Sequence, residues 1–261
     1  MIATAPKVLT ESENHLLTLT LNSPKSLNSL TSEMLSDLGQ ALADAEANTD
    51  VRVVMITGSG TAFCAGLNLT EEGDIAALDV RARLRDYYEP VLHTIRSMEK
   101  PVVAVVNGVA AGAGLSLALA ADFRIASQSA TFVQAFVRVG LVPDAGSTYL
   151  LPRIVGWGRA LELMMLGETL DAETALAYGM VNRVVPDSRL KQSATEFAAR
   201  LAGGPRSQAL IKRLLTQSAA SSFEEQLVNE ADAQTEAVSS ADFARGVGAF
   251  LAKRKAEFQG D

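Results

Sequence analysis

The stretch KPVVAVVNGVAAGAGLSLALAADFRIAS, Lys100 to Ser127, holds the argument for the fold in one passage. Its start, KPVVAVVNG, is a β-branched run ended by Gly, the pattern of a strand buried on both faces. NGVAAGAGLSLALAAD then gives a glycine-bearing turn leading into a helix-compatible run, and ADFRIAS returns to strand character. Strands alternating with helices predict an α/β domain. The same order stands upstream, where VRVVMITGSG from Val51 reads as a buried strand and GSGTAFCAGLNLTE, Gly58 to Glu71, as a second glycine-bearing segment. A strand, a tight Gly turn and a helix N-terminus leave backbone N–H groups pointing outward, which suits a phosphate or a developing oxyanion. Read alone, the same glycines equally serve close strand and helix packing. GVAAGAG lacks the G-x-G-x-x-G spacing, and Asp122 falls inside the following element, which argues against a dinucleotide site of the Rossmann type.

Working outward, HLLTLTLNS alternates apolar and polar residues as a half-buried strand does. NSPKSLNSL supplies turn residues and a cap before an amphipathic helix over Met34 to Ala47, and a polar helical stretch follows from Glu71 to Met98. GMVNRVV is a further strand candidate. From Leu190 onward the chain reads as almost wholly helical, and Leu210, Ile211, Leu214, Leu215 and Leu227 require a core or another subunit to cover them. This predicts a core over 1–195 and a helical region over 196–261.

The formal charge of -7 on 261 residues disfavours nucleic acid and anionic lipid as partners, although Lys253, Arg254 and Lys255 form a local basic patch. One cysteine, Cys64, excludes an internal disulfide framework, and with only His15 and His93 beside it no metal site is expected. The N-terminus lacks a basic start followed by an apolar core, and the apolar runs are interrupted before they could span a bilayer, so a soluble, cytoplasmic protein is expected. Cys64 reads as a small apolar filler, His93 as a helix-surface residue and His15 as a strand start. Ser147 lacks the G-x-S-x-G elbow of a nucleophile.

The segment VGLVPDAGSTYLLPRIVG, Val139 to Gly156, sets Asp144 in apolar company. Pro-Asp-Ala-Gly is favourable β-turn chemistry and accounts for Asp144 by itself. Against that, Val139, Leu141, Val142, Leu150 and Leu151 create a setting in which a carboxyl pKa rises and the group becomes a proton carrier near neutral pH.

Taken together, NSPKSLNSLTSEM, VVMITGSGTAFCAGLNL, the Lys100 to Ser127 stretch, FVRVGLVPDAGSTYLLPRIVG, LGETLDAETALAYGMVNRVV and GVGAFLAKRKAEF follow one another in an order and spacing that resembles the enoyl-CoA hydratase/isomerase (crotonase) superfamily over essentially the whole chain. The resemblance implies a spiral of β-β-α units, a helical C-terminal region that builds homotrimers or dimers of trimers, and an acyl-CoA thioester substrate that brings its own coenzyme, with no separate cofactor. It assigns the thioester oxygen to the backbone N–H groups of Leu67 and Ala113. Leu67, Asn68, Leu69, Thr70, Ala113 and Phe136 become substrate contacts, and Lys25, Ser26, Leu27, Phe250 and Lys253 coenzyme contacts, the last two toward a neighbouring subunit's site.

Departures from the hydratase pattern are as informative. The positions of the two hydratase glutamates hold Ser116 and Phe136 here, so Asp144 is the single acid of the matched catalytic segments. VPDAG looks most like the ring-epoxide isomerases of phenylacetyl-CoA breakdown, and enoyl-CoA isomerases share the Asp. The expected activity is therefore isomerisation, by double-bond shift or ring-epoxide rearrangement of 1,2-epoxyphenylacetyl-CoA, with Asp144 as proton shuttle. Hydration is the alternative. Nucleophilic dehalogenation and a non-catalytic acyl-CoA-binding or RNA-binding scaffold are the remaining readings.

Overall fold

The computed structural model describes residues 6–68 and 79–261. The strands are β1 (Val8–Glu13), β2 (Leu16–Leu21), β3 (Val53–Gly58), β4 (Ala62–Cys64), β5 (Val102–Val106), β6 (Val109–Ala111), β7 (Phe123–Ser127), β8 (Thr131–Val133), β9 (Thr169–Asp171) and β10 (Arg183–Val185). They form a six-stranded sheet of order β1-β2-β3-β5-β7-β10 and a four-stranded sheet of order β4-β6-β8-β9. Pairing is parallel except at the edges, β1 with β2 and β8 with β9.

The helices are α1 (Ser32–Ala47), α2 (Val80–Arg83), α3 (Glu89–Ser97), α4 (Ala113–Ala120), α5 (Ser147–Val155), α6 (Trp157–Leu166), α7 (Ala172–Ala177), α8 (Leu190–Ala202), α9 (Ser207–Ser218), α10 (Phe223–Ser239) and α11 (Ala241–Leu251). After a strand in the large sheet comes one in the small sheet and then helix, as in β5, β6, α4, which gives the expected β-β-α spiral. The four short strands lie inside segments read from sequence as glycine turns or left unassigned.

Strand parity explains why the large sheet is so apolar. Val54, Ile56, Ala104 and Val106 face an inner core, while Val53, Met55, Val103 and Val105 face the other side, so both surfaces are buried. That second side is covered by Leu190, Ala194, Ala198 and Ala202 of α8, spaced one helical turn apart. A division at 195/196 therefore cuts a helix that packs on the sheet, and the purely helical region starts beyond α8. On the inner side α1 buries Met34, Leu35, Leu38, Leu42 and Ala45, and its N-terminus is capped by the Thr31 side chain, which accepts from the Met34 N–H.

The helical stretch expected from Glu71 runs, within the described residues, from Val80 to Ser97, with a π-helical turn over Leu84–Tyr88 between α2 and α3; residues 71–78 lie outside the description. The C-terminal helices are fastened to the core at Lys212 of α9, which pairs with Asp122 at 2.7 Å and donates to the carbonyls of Ile95 and Lys100. Asp122 itself sits in the turn between α4 and β7, where its carboxylate accepts from the Val102 N–H. Leu210 is buried, whereas Ile211, Leu215 and Leu227 remain exposed on the chain. Among the described residues no helix is long and apolar enough to cross a membrane.

Candidate active site

The loop after β4 turns at Gly66, whose φ is +90°. A Cβ there would lie 2.7 Å from the Ala111 carbonyl oxygen and 3.3 Å from the Ala113 nitrogen, so only glycine lets the two loops approach this closely. Leu30 holds the loop from its other edge: its N–H donates to Gly66 O at 2.6 Å, and its carbonyl accepts from the Asn68 N–H at 3.3 Å. Leu67 lies between those bonds in a parallel bridge with Leu30, so its own N–H is directed away from Leu30. Ala113 opens α4, where a backbone N–H has no intrahelical acceptor. The two expected oxyanion donors thus stand on neighbouring loops.

The third loop brings Asp144. Its carbonyl accepts from the Ser147 N–H at 3.0 Å, with positive φ at both Ala145 (51°) and Gly146 (77°), as in a type I′ turn. The turn and the proton-carrier readings are therefore compatible: the backbone of Asp144 starts the turn, and its side chain is left over for other work. Oδ1 is buried and, among the described residues, has no hydrogen-bond partner. Burial pushes the carboxyl up to about 6, because the charged form is poorly solvated.

Phe136 is buried, with its ring edge about 3.8 Å from where a Cβ on Gly112 would stand. Tyr88, from the π-helical turn, is also buried; desolvation pushes its phenol up, the Arg83 guanidinium opposes that, and the Asp144 charge adds to the rise. Cys64 is buried beneath the loops and its thiol is pushed up to about 12 by burial, so it is a filler and not a nucleophile. Ser116 is fully buried and contacts the Asp144 carbonyl at 3.1 Å. Ser147 accepts from Gln134 Nε2 at 2.7 Å. Neither contact was legible in the sequence; a lone glutamine in the apolar run TFVQAFV was the one available hint.

Lys25, Ser26 and Leu27 form a short 3₁₀ turn and its exit, and the Leu27 carbonyl accepts from the Ala65 N–H at 3.0 Å, so this loop runs beside the Leu67 loop. Asn28 fixes it, donating to Ser59 O and Ala62 O at 2.8 Å each. Leu69 and Thr70 lie outside the described residues. Phe250 and Lys253 are not joined to this cluster in the single chain: both are exposed at the end of α11. Among the described residues no group of three or more His, Cys, Asp and Glu could hold a metal ion.

A β-β-α spiral in which the loop bearing Gly66 packs closely on the start of α4, and α4 is joined through Ser116 to the turn bearing Asp144, is the crotonase fold. Residues 11–261 match the family described as Enoyl-CoA hydratase/isomerase, and the chain belongs to that family. It is 41% identical over 257 residues to the 1,2-epoxyphenylacetyl-CoA isomerase of Escherichia coli (strain K12), covering 97% of this chain and 98% of that protein. It is 44% identical over 246 residues to a Rhodobacter capsulatus protein named "Probable enoyl-CoA hydratase", covering 94% and 95%. The crystal structure of an enoyl-CoA hydratase from Polaromonas sp. JS666 superposes with a TM-score of 0.91 at 35% identity, over 96% of this chain and 99% of that one.

Proposed function

We propose that the chain is an acyl-CoA isomerase in which Asp144 carries one proton between two carbons of the acyl group. The observation that supports this most is the side chain itself: a carboxyl with a buried oxygen that has no partner among the described residues, lifted to about 6, as the single acid of the matched catalytic segments. The carboxylate removes a proton from an acyl carbon, and the electron pair moves onto the thioester oxygen. The N–H groups of Leu67 and Ala113 stabilise that charge as it develops. Asp144 then returns the proton to another carbon, so no atom is gained or lost. A double-bond shift needs only these steps; in a ring-epoxide rearrangement a bond of the three-membered ring also breaks, its electron pair being taken up in the new double bonds as the proton moves, and the name of the Escherichia coli relative favours this second course.

Hydration is the second reading, favoured by the name of the Rhodobacter capsulatus relative. It lacks support from Ser116 and Phe136, which cannot exchange a proton with water as carboxylates do. A panel of acyl-CoA thioesters followed by mass and absorbance separates the two. Unchanged mass with altered absorbance is expected, and Asp144→Asn should lower that rate by about a hundredfold or more with binding largely kept. A mass gain of one water at the rate of the best isomerisation would overturn the assignment, as would near-normal turnover in the variant.

We further read the exposed apolar residues of the C-terminal helices as faces that close on copies of the chain in a trimer or pair of trimers, with Phe250 and Lys253 meeting a neighbour's coenzyme. A cytoplasmic setting accords with a single reduced, buried cysteine.

A further inference from the structure

We infer that Ser116 is a positioning residue that ties the turn bearing Asp144 to the helix bearing the Ala113 donor; this rests on the isomerase reading above. Ser116 lies three residues beyond Ala113 in α4 and is fully buried. Its Oγ is 3.1 Å from the Asp144 carbonyl oxygen and 3.3 Å from that of Gly112. The Gly112 carbonyl already accepts the Ser116 backbone N–H at 3.0 Å. A serine hydroxyl has one proton to donate, and the shorter contact directs it across to Asp144.

The Asp144 carbonyl therefore has bonds from separate elements. Ser147, at the start of α5, closes the turn on itself, whereas Ser116 sets where that turn stands relative to α4. Gln134 braces the same place from the end of β8 through Ser147 Oγ. An outside tie is needed because Ala145 holds a left-handed backbone without being glycine, which is strained and leaves the turn a lower-energy conformation to relax into. One carboxylate that must both remove and return a proton is sensitive to this, since a displacement of about 1 Å can lower a rate by roughly a hundredfold. Through Ser116, base and oxyanion donor share one rigid support.

The test is Ser116→Ala. It removes only the hydroxyl and leaves the Asp144 carbonyl bonded to Ser147, so no buried acceptor is orphaned. We expect kcat for isomerisation to fall about tenfold and KM to stay within about twofold. The acid limb of the pH profile should move to lower pH, because a loosened turn admits water to the carboxylate. Ser116→Cys, similar in volume and a weaker donor, should give a smaller loss in the same direction, and it carries the same measurements if the alanine variant fails to fold. In an Asp144→Asn background, Ser116→Ala should have no further effect, since the group it positions has lost its chemistry. Unchanged kcat and acid limb in Ser116→Ala would overturn the inference, as would an equal loss in both backgrounds. Failure of the isomerase reading looks different: Asp144→Asn would then turn over near normally whatever stands at 116.

Discussion

Burial lifts the Asp144 carboxyl to about 6, above the ordinary aspartate value of about 4. The base must be ionised, so kcat/KM should fall as pH drops through about 6 and level off above it. Stability runs the other way. Between about pH 4 and 6 the folded protein keeps a proton that the unfolded chain has released, so stability declines as pH rises through that window. Above it the fold carries an unfavourable charge, and Asp144→Asn should melt higher than the parent at pH 7, by about 1 kcal/mol once water reaching the carboxylate is allowed for. The gain should vanish below pH 4, where both proteins are neutral at this position. Thermal melts across pH test it, and a gain that is absent at pH 7 or independent of pH would mean that the carboxylate is well solvated. Pro-Asp-Ala-Gly made the turn readable, but the apolar flanks were a poor guide to its burial: of the flanking residues Leu151 is buried, whereas Val139, Leu141 and Val142 are exposed on the chain. The tie from Ser116 was not readable, because the hydroxyl and the carbonyl it meets are 28 positions apart and no local pattern marks the contact.

Among the elements, periodicity served where an element was long enough to repeat. Thr18 and Thr20 alternate with the inward Leu17, Leu19 and Leu21 in β2, and α8 repeats its buried face every turn. β4, β6, β8 and β9 have three residues each, too few to establish alternation, and only the family resemblance implied them. β1 went unread because, of VLTESE, only Val8 is buried. One residue in the first turn of α11 joins that helix to the segments before α9 and after α11. Asp242 is almost wholly buried, and its oxygens accept the backbone N–H groups of Arg206, Gln259 and Gly260 together with the Arg245 guanidinium. Burial opposes its charge, yet these donors together hold its carboxyl below the usual range. Its contribution is therefore present at neutral pH and lost as pH falls below the ordinary carboxylate value. Asp242→Ala should destabilise the protein by about 3 kcal/mol and expose the segment after α11 to proteases. An unchanged melting temperature with the segment still protected would mean that the donors find water without loss.

At the scale of the whole molecule, the apolar residues left uncovered are unusual for a chain that stays alone. Leu215 is 69% exposed, Phe223 72% and Phe250 81%, and Trp157 of α6 is 74% exposed. Ile211 and Leu215 also line a cavity of about 430 Å³ facing Leu150 and Ile154 of α5. A native mass of three or six chains is expected in sedimentation at micromolar concentration, and a monomer there would leave these faces without a role. Within one chain, closure is carried by Arg52, at the entrance to β3. Its guanidinium donates to the carbonyls of Gly204 and Phe258, the latter 206 positions away. After Arg52 the ribosome must therefore add 206 more residues before this contact can form, and bringing the two positions together carries the entropy of a very long loop. The spiral can gather turn by turn during synthesis, whereas the segment after α11 docks last, so in pulse-labelling during refolding the amides of Gln259 and Gly260 should gain protection after those of β3 and β5.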